Sequence, residues 1–397
     1  MKFKLFNRPS AILGAAFLMA TSAIGPGFLT QTTVFTQQLQ ASFGFVILIS
    51  TLLDIAVQLN IWRILTMSGY RAQELCNTLL PGLGLFLAIL IVLGGLAFNI
   101  GNIAGSGLGL NVLTNIKVEY GAIISCCVAL FIFWLKEAAT YLDSFTKLLG
   151  LVMIFLTLYV AINSQPPVLL AIEKSFWPDT INSTTIITLV GGTVGGYISF
   201  AGAHRLIDAG FKGPENLHHV NHSAISGIVI TGIMRTVLFL AALGVVVKGV
   251  LLDPSNPPAS VFKIAAGEIG YTFFGMVMWC AAITSVVGAS YTSVSFIKSL
   301  HPFIEKNQKW FITFFILFST VVFVVIGKPV KLLIAAGAIN GIILPIALLF
   351  ILLASYKTKL LGHYKHPKWL ALIGWVVFLF LVYLSGKTLT EFLKGMI

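Results

Sequence analysis

The stretch AILGAAFLMATSAIGPGFLTQTT, residues 11–33, decides the fold because it breaks an apolar helix in its middle. Gly25-Pro26-Gly27 separates an apolar run from a polar one, and glycine and proline together favour unwinding of the helix. The stretch TTIITLVGGTVGGYISFAGA, residues 184–203, repeats the pattern, with Gly191-Gly192 and Gly195-Gly196 at its centre. Unwound backbone at membrane depth is tolerated only where it is buried in protein or lines a cavity. The two breaks therefore predict a binding site.

Composition indicates a membrane protein. Hydrophobic residues make up 57% of the 397 residues and charged residues 10%, whereas soluble domains carry about 25% charged residues. We predict an all-α polytopic protein with a single transmembrane domain over residues 1–397. Eleven spans approach the ~20 apolar residues that a bilayer needs. The predicted spans are about 11–38, 42–64, 84–112, 120–136, 146–164, 184–206, 223–250, 268–297, 310–327, 331–354 and 369–386.

The net charge of +12 follows a membrane pattern and not a nucleic-acid-binding one. With the N-terminus inside, 16 Lys and Arg residues fall on the cytoplasmic side and 8 outside, with Arg235 within a span. This bias is typical of cytoplasmic loops. We expect a multi-pass protein of a bacterial inner membrane, with a cytoplasmic N-terminus and the C-terminus outside. Its predicted partners are the lipid bilayer and a small-molecule substrate, with no nucleic acid.

The spans divide into two sets of five, each of which begins with a broken helix. The first repeat covers about residues 11–164, the second about 184–354, and an extra helix follows at about 369–386. Because five is odd, the second set enters the membrane from the opposite side. This is the arrangement of the amino-acid/polyamine/organocation superfamily, whose LeuT fold has inverted repeats. It predicts a secondary transporter or symporter with alternating access, in which spans one, two, six and seven move against the rest.

Short motifs resemble the NRAMP family within this fold. They are Gly25-Pro26-Gly27, Phe43-Gly44-Phe45 and Gly192-Thr193-Val194. The resemblance implies proton-coupled transport of a divalent metal ion such as manganese, iron or magnesium. Metal carriers of the family have Asp-Pro-Gly-Asn and Met-Pro-His at the two breaks, where this chain has Gly25-Pro26-Gly27-Phe28 and Gly195-Gly196-Tyr197. A divalent cation needs anionic or soft donors. We therefore expect a divergent branch with no metal-binding residues at the breaks.

Neutral donors at the breaks favour a different substrate. Helix starts near Phe28 and Tyr197 would direct backbone N–H groups at an anion. The predicted substrate-binding residues are Gly25, Gly27, Phe28, Thr30, Gln31, Thr33, Thr193, Gly195, Gly196, Tyr197 and Ser199. We predict a small organic anion or amino-acid-like solute. A bacterial branch of the family that this chain resembles is associated with 5-oxoproline breakdown, which makes 5-oxoproline a candidate. Divalent metal transport remains the alternative.

Few ionisable residues are available to couple transport to an ion. Asp54 in span two and Arg235 in span seven are natural counter-charges, as a structural pair or as part of a proton relay. His204 and Asp208 lie four residues apart beside Arg205, in a position to relay protons, gate the pathway or cap the helix. Sodium is the other candidate ion, which unwound carbonyls of span one could bind together with the span-eight hydroxyls of Thr284, Ser285, Ser290, Thr292 and Ser293. No cofactor is predicted, and no HExxH or GxSxG motif suggests an enzyme.

Overall fold

The structure is a computed structural model that describes residues 23–298, 301–362 and 364–394. All regular elements in these ranges are helices. In chain order they are α1 Pro26–Leu39, α2 Phe43–Ser68, α3 Ala72–Leu79, α4 Leu83–Thr114, α5 Val118–Trp134, α6 Lys136–Asn163, α7 Val168–Phe176, α8 Ser183–Thr193, α9 Tyr197–Asp208, α10 Leu217–Val246, α11 Pro257–Lys298, α12 Pro302–Lys306, α13 Gln308–Ile326, α14 Pro329–Ser355, α15 Thr358–Leu361 and α16 Lys368–Lys394.

Both predicted breaks are present. Helix α1 begins at Pro26, directly after Gly25 in an extended conformation, and proline is well suited to a first helical position. The first half of predicted span one includes residues 11–22, which lie outside the described residues. Span six is divided into α8, which ends at Thr193, and α9, which begins at Tyr197. The broken helices expected of the inverted-repeat fold are therefore confirmed where the chain is described.

Helices occupy the predicted spans wherever the structure describes them, but the number of crossings stays a prediction. Within the described ranges, 8 helical segments are long and apolar enough to cross a membrane, or up to 9 if the bent pair α6–α7 is one span. One segment of 43 residues, Pro26–Ser68, contains both α1 and α2. Helix α5, by contrast, is classed among the shorter apolar helices. These findings support a multi-pass membrane protein.

Glycines allow α8 and α14 to approach each other backbone to backbone. A Cβ atom on Gly191 would lie 2.6 Å from the Cα atom of Gly341 and would overlap the carbonyl oxygen of Gly337. Small residues permit this kind of close packing between membrane helices, where burial from water supplies no driving force. Helix α1 contacts α4, α8, α10, α11 and α14. The two breaks are consequently enclosed in the centre of the bundle.

Candidate functional site

The second break depends on the conformation of Gly196. This residue has φ 54° and ψ −129°, a backbone geometry that side chains disfavour. It also lies against Asn340 of α14, since a Cβ atom on Gly196 would be 2.8 Å from Asn340 Cγ and would overlap Oδ1. Asn340 is fully buried, and its Nδ2 donates to the carbonyl oxygens of Gly94 at 2.9 Å and Ala336 at 2.8 Å. Helices α4 and α14 thus hold the break from one side.

Arg235 of α10 supplies a buried positive charge beside both breaks. Its side chain is 3% exposed, and its Nη1 donates to the Thr193 hydroxyl at 3.0 Å, at the end of α8. Its guanidinium carbon lies 4.5 Å from the centre of the Phe28 ring, in the first turns of α1. This is cation–π geometry. The Nε and Nη2 atoms have no hydrogen-bond partner in the described part of the chain. Two donors of a buried cation are therefore free to bind an acceptor.

Asp54 of α2 is the nearby negative charge, and its side chain is 2% exposed. It interacts with the charge of Arg235 and with the Thr193 hydroxyl. None of the ion pairs between described residues joins Asp54 directly to Arg235. The Oδ1 atom of Asp54 has no hydrogen-bond partner within the described ranges. Asp54 and Arg235, the predicted counter-charges, therefore share Thr193 as a neighbour. Each also has polar atoms without a hydrogen-bond partner in the described part of the chain.

The hydroxyl and amide groups of α1 differ in what they contact. The Thr33 hydroxyl donates to the carbonyl oxygen of Leu29 at 2.9 Å, so it is engaged by its own helix. Gln31 reaches across to α14, where its Nε2 donates to the carbonyl oxygen of Leu333 at 3.0 Å. Thr30 is fully buried, and its hydroxyl has no partner among the described residues. Of these predicted polar groups, the Thr30 hydroxyl and the Gln31 Oε1 atom have no hydrogen-bond partner among the described residues.

The start of α9 is bound to α2. The Trp62 indole nitrogen donates to the carbonyl oxygen of Ser199 at 2.9 Å. The Ser199 hydroxyl lies 3.5 Å from Gln58 Oε1, and Gln58 Nε2 donates to the carbonyl oxygen of Ala224 in α10 at 2.9 Å. Tyr197 packs its ring edge-on against Phe98, with 5.7 Å between ring centres. Helices α2, α9 and α10 are therefore connected by direct hydrogen bonds, as expected for elements that move together.

A second set of contacts lies at the far end of α9. Asp208 accepts two hydrogen bonds from Arg71 Nη2, at 2.8 and 3.0 Å. His204 is buried, and its Nε2 accepts a hydrogen bond of 3.1 Å from the backbone N–H of Ala72, the first residue of α3. We call these four residues the α9 latch. Arg205, which was predicted together with His204 and Asp208, is exposed and is not part of the latch.

The first break faces neutral oxygen atoms of α4 and α11. A Cβ atom on Gly25 would lie 3.6 Å from the Ser285 hydroxyl and 3.8 Å from Asn102 Oδ1. Two other hydroxyls of the predicted span eight, those of Thr284 and Ser290, bond within their own helix, whereas the Ser293 hydroxyl has no partner in the described part of the chain. Of the predicted hydroxyl set, Ser285 lies next to the first break. Two uncharged side-chain oxygens therefore lie beside the first break.

The other glycines predicted to bind substrate have steric roles. A Cβ atom on Gly195 would lie 2.7 Å from the Cα atom of Gly191, in the preceding turn. One on Gly27 would meet Gln31 Nε2 and the carbonyl oxygen of Leu333, each at 3.7 Å. Gly27 is therefore less constrained than Gly195. Glycine is therefore required more strictly at the second break, at Gly195 and Gly196, than at Gly27 in the first.

The site lacks a conventional metal-binding cluster. Over the residues that the structure describes, no group of three or more His, Cys, Asp or Glu side chains is placed to hold a metal ion. The buried carboxylate of Asp54 instead shares its surroundings with Arg235. A cation at this point would be repelled by the guanidinium.

Several contributors to the site had no sequence prediction. The sequence did not single out Arg71 and Trp62 as site residues, because charged and aromatic residues near span ends are common. Leu333 participates through its backbone, which sequence does not distinguish. Asn340 did carry a signal, since a polar side chain inside an apolar span usually hydrogen-bonds another helix. The signal gave no indication of which helix it would contact.

Comparisons with known proteins agree with this architecture. The sequence matches the Nramp family, described as natural resistance-associated macrophage protein-like, over residues 16–391. It is 58% identical over 380 residues to the uncharacterized membrane protein YcsG of Bacillus subtilis, covering 96% of this chain and 94% of that protein. It is 20% identical over 415 residues to the divalent metal cation transporter MntH of Brucella suis, covering 98% of this chain and 90% of the relative.

The fold also resembles a solved transporter. The structure superimposes on a manganese transporter of Eremococcus coleocola with a TM-score of 0.73, at 15% identity, covering 100% of this chain and 90% of that one. At this identity the likeness concerns the fold alone. Together with the broken helices and the family match over nearly the whole sequence, it shows a secondary transporter architecture. The chain belongs to the Nramp family of membrane transporters.

Proposed function

We propose that this protein is a secondary active transporter of a small organic anion, whose carboxylate binds to Arg235. The observation that carries the proposal is the buried guanidinium with two free donors beside both helix breaks. Arginine binds carboxylates through two parallel hydrogen bonds, and such charge-assisted bonds are strong in a buried site. The helix starts at Pro26 and Tyr197 add backbone donors, because the first N–H groups of a helix lack intrahelical partners.

Coupling to a cation would offset the charge of such a substrate. Protons have a candidate site at Asp54, whose Oδ1 lacks a partner in the described chain. Sodium has a candidate site at the first break, where Gly25, Asn102 and Ser285 bring neutral oxygens together. Uncharged oxygen ligands suit a hard monovalent cation, whereas a divalent cation needs anionic donors to offset its larger loss of hydration. The proposed function therefore includes H⁺ or Na⁺ as the coupling ion.

Transport of a divalent metal ion is the second candidate, and the relatives favour it. One is named a divalent metal cation transporter and another a manganese transporter. Their names support this function more directly than they support an organic anion. The chemistry of the site opposes it, because the buried guanidinium of Arg235 would repel a divalent cation, and residues 25–28 and 193–197 contain no carboxylate or thioether. Only a binding experiment that offers both kinds of substrate separates the two.

The test is ligand-dependent thermal stabilisation of the purified full-length protein. Manganese and magnesium are screened beside 5-oxoproline and amino acids, at two pH values with and without sodium. A solute at 100 times its Kd stabilises the protein by about 2.7 kcal/mol. Stabilisation by a carboxylate should disappear in Arg235→Gln, weaken in Arg235→Lys, and persist in Lys248→Gln, which removes an exposed cation just beyond α10.

The outcomes are distinct for the two candidates. Saturable stabilisation by manganese, with no response to any carboxylate, would refute the organic-anion proposal and establish the metal alternative. If a carboxylate stabilises the protein only with sodium, the ion is identified, and Ser285→Ala should then raise the sodium concentration required. A response that instead follows pH and is lost in Asp54→Asn assigns the coupling to protons. Arg235→Lys keeps the charge, so it guards against misfolding of the glutamine variant.

A further inference from the structure

The side-chain amide of Gln31 has a fixed orientation. Gln31 is fully buried in α1, and its Nε2 lies 3.0 Å from the carbonyl oxygen of Leu333. A carbonyl oxygen only accepts hydrogen bonds, so the NH₂ group of the amide must face it. Gly337 leaves room for this arrangement, because a Cβ atom there would lie 2.5 Å from Nε2. The amide oxygen consequently points away from α14.

That oxygen is a buried acceptor without a donor. Gln31 Oε1 has no hydrogen-bond partner in the described part of the chain. It lies against the last turn of α8, where a Cβ atom on Gly192 would be 2.6 Å from it. A buried acceptor is unfavourable until a donor reaches it. The oxygen therefore indicates that an N–H or O–H group binds at this position.

The free acceptor and the guanidinium of Arg235 lie beside consecutive residues of α8, Gly192 and Thr193. Thr193, the residue after Gly192, accepts the hydrogen bond from Arg235 Nη1. On the other side, Phe28 lies beneath the guanidinium and precedes Gln31 by three residues in α1. Residues three apart share one face of a helix. The amide oxygen and the guanidinium thus lie at the same turn of α8, beside α1 residues that are about one helical turn apart.

We infer that Gln31 is a specificity-determining residue that selects carboxylates carrying an N–H donor. The substrate carboxylate would bind Arg235, as in the proposed function on which this inference rests, while its N–H donates to Gln31 Oε1. 5-Oxoproline and N-acyl amino acids have both groups without an added positive charge. A carboxylate with an ether or ester oxygen in place of the N–H would place that oxygen against Gln31 Oε1. Because both oxygens only accept hydrogen bonds, none would form between them. A site built around a hydrogen bond rejects such an analogue strongly.

The experiment compares ligands that differ only in that group. Binding to purified full-length protein is measured for 5-oxoproline against its lactone analogue, 5-oxotetrahydrofuran-2-carboxylate, and for N-acetylglycine against its ester analogue, acetoxyacetate. For the pair that binds, the wild-type protein should prefer the N–H compound by about tenfold or more. In Gln31→Met the ratio should fall close to one, with the oxygen analogue bound about as before. Gln38→Met, an exposed glutamine on the same helix, should keep the wild-type ratio.

Each result bears on one proposal or on both. Equal affinities within a pair in wild-type protein would overturn the role of Gln31 and leave carboxylate binding by Arg235 intact. If a water molecule satisfies Oε1, the same equality is expected. Failure of every carboxylate to bind would overturn the proposed function and this inference together. The wild-type ratio needs no variant, so the comparison decides the matter even if Gln31→Met does not fold.

Discussion

Replacing Gly196 with alanine should destabilise the second break for two separable reasons. The backbone there has φ 54° and ψ −129°, which costs a residue with a side chain about 1–3 kcal/mol. The new methyl group would also overlap Asn340 Oδ1 and lie 2.8 Å from Cγ. Overpacking of this kind costs about 1–3 kcal/mol. Gly196→Ala should therefore lower the free energy of unfolding by about 2–6 kcal/mol.

Truncating the neighbour separates the two contributions. Asn340→Ala removes Oδ1 and Cγ, and the remaining Cβ would lie 3.7 Å from the added methyl group, an ordinary contact. In that background Gly196→Ala should cost only the backbone term, about 1–3 kcal/mol. The cycle should therefore yield a coupling energy of about 1–3 kcal/mol between the two positions. The hydrogen bonds that Asn340→Ala loses cancel in the cycle, because they are absent from both of its variants.

The free energies can be measured by SDS titration of the four proteins in mixed micelles, followed by helix content. Gly288→Ala in α11 is the matched control, since nothing lies within 4 Å of the position that its methyl group would take. It should be neutral or stabilise the protein by up to about 1 kcal/mol, because alanine has the higher helix propensity. The reasoning is refuted if Gly196→Ala is tolerated as well as Gly288→Ala is. Additivity of the two substitutions within about 0.5 kcal/mol would refute the contact with Asn340.

Two further predictions concern charged groups away from the breaks. Reversing one charge of the Arg71–Asp208 pair, as in Asp208→Arg, should loosen α3 from α9 and so speed thiol labelling of an Ala72→Cys probe. The exchanged pair Arg71→Asp/Asp208→Arg should restore slow labelling. Unchanged labelling in the single variant would contradict the α9 latch. Burial, followed by the positive charge of Arg63, lowers the pKa of His366 to about 4. The unfolded chain, with a histidine pKa near ~6.5, then binds more protons, so apparent stability should fall as the pH drops from about 6.5 toward 4. His366→Gln should flatten this dependence, and an unchanged pH profile in that variant would disprove it.

Local signals explain why the fold was predictable. Gly25-Pro26 and Gly195-Gly196 break helices through their own backbone chemistry, so both interruptions were evident without knowledge of any contact. Charges inside apolar spans are costly, which made Asp54 and Arg235 conspicuous as counter-charges. The structure places both beside Thr193, although without a direct ion pair between them.

The details of the site depend on residues far apart in the chain. Gln31 and its acceptor Leu333 are separated by 302 positions, and only the packing of α1 against α14 brings them together. The cation–π contact between Phe28 and Arg235 likewise depends on rotamers set by neighbouring helices. For Thr33, the nearest acceptor is in its own helix, so sequence position did not decide the direction of the hydroxyl.

The opposite charges of Arg235 and Asp54 have an electrical consequence for the proposed transport cycle. When both are ionised, the empty site is neutral, and a bound carboxylate makes it carry one negative charge through the membrane. Each elementary charge that crosses 100 mV changes the free energy by about 2.3 kcal/mol. One accompanying H⁺ or Na⁺ would cancel the charge and make uptake insensitive to membrane voltage. A second cation would instead let the membrane potential drive accumulation of the solute.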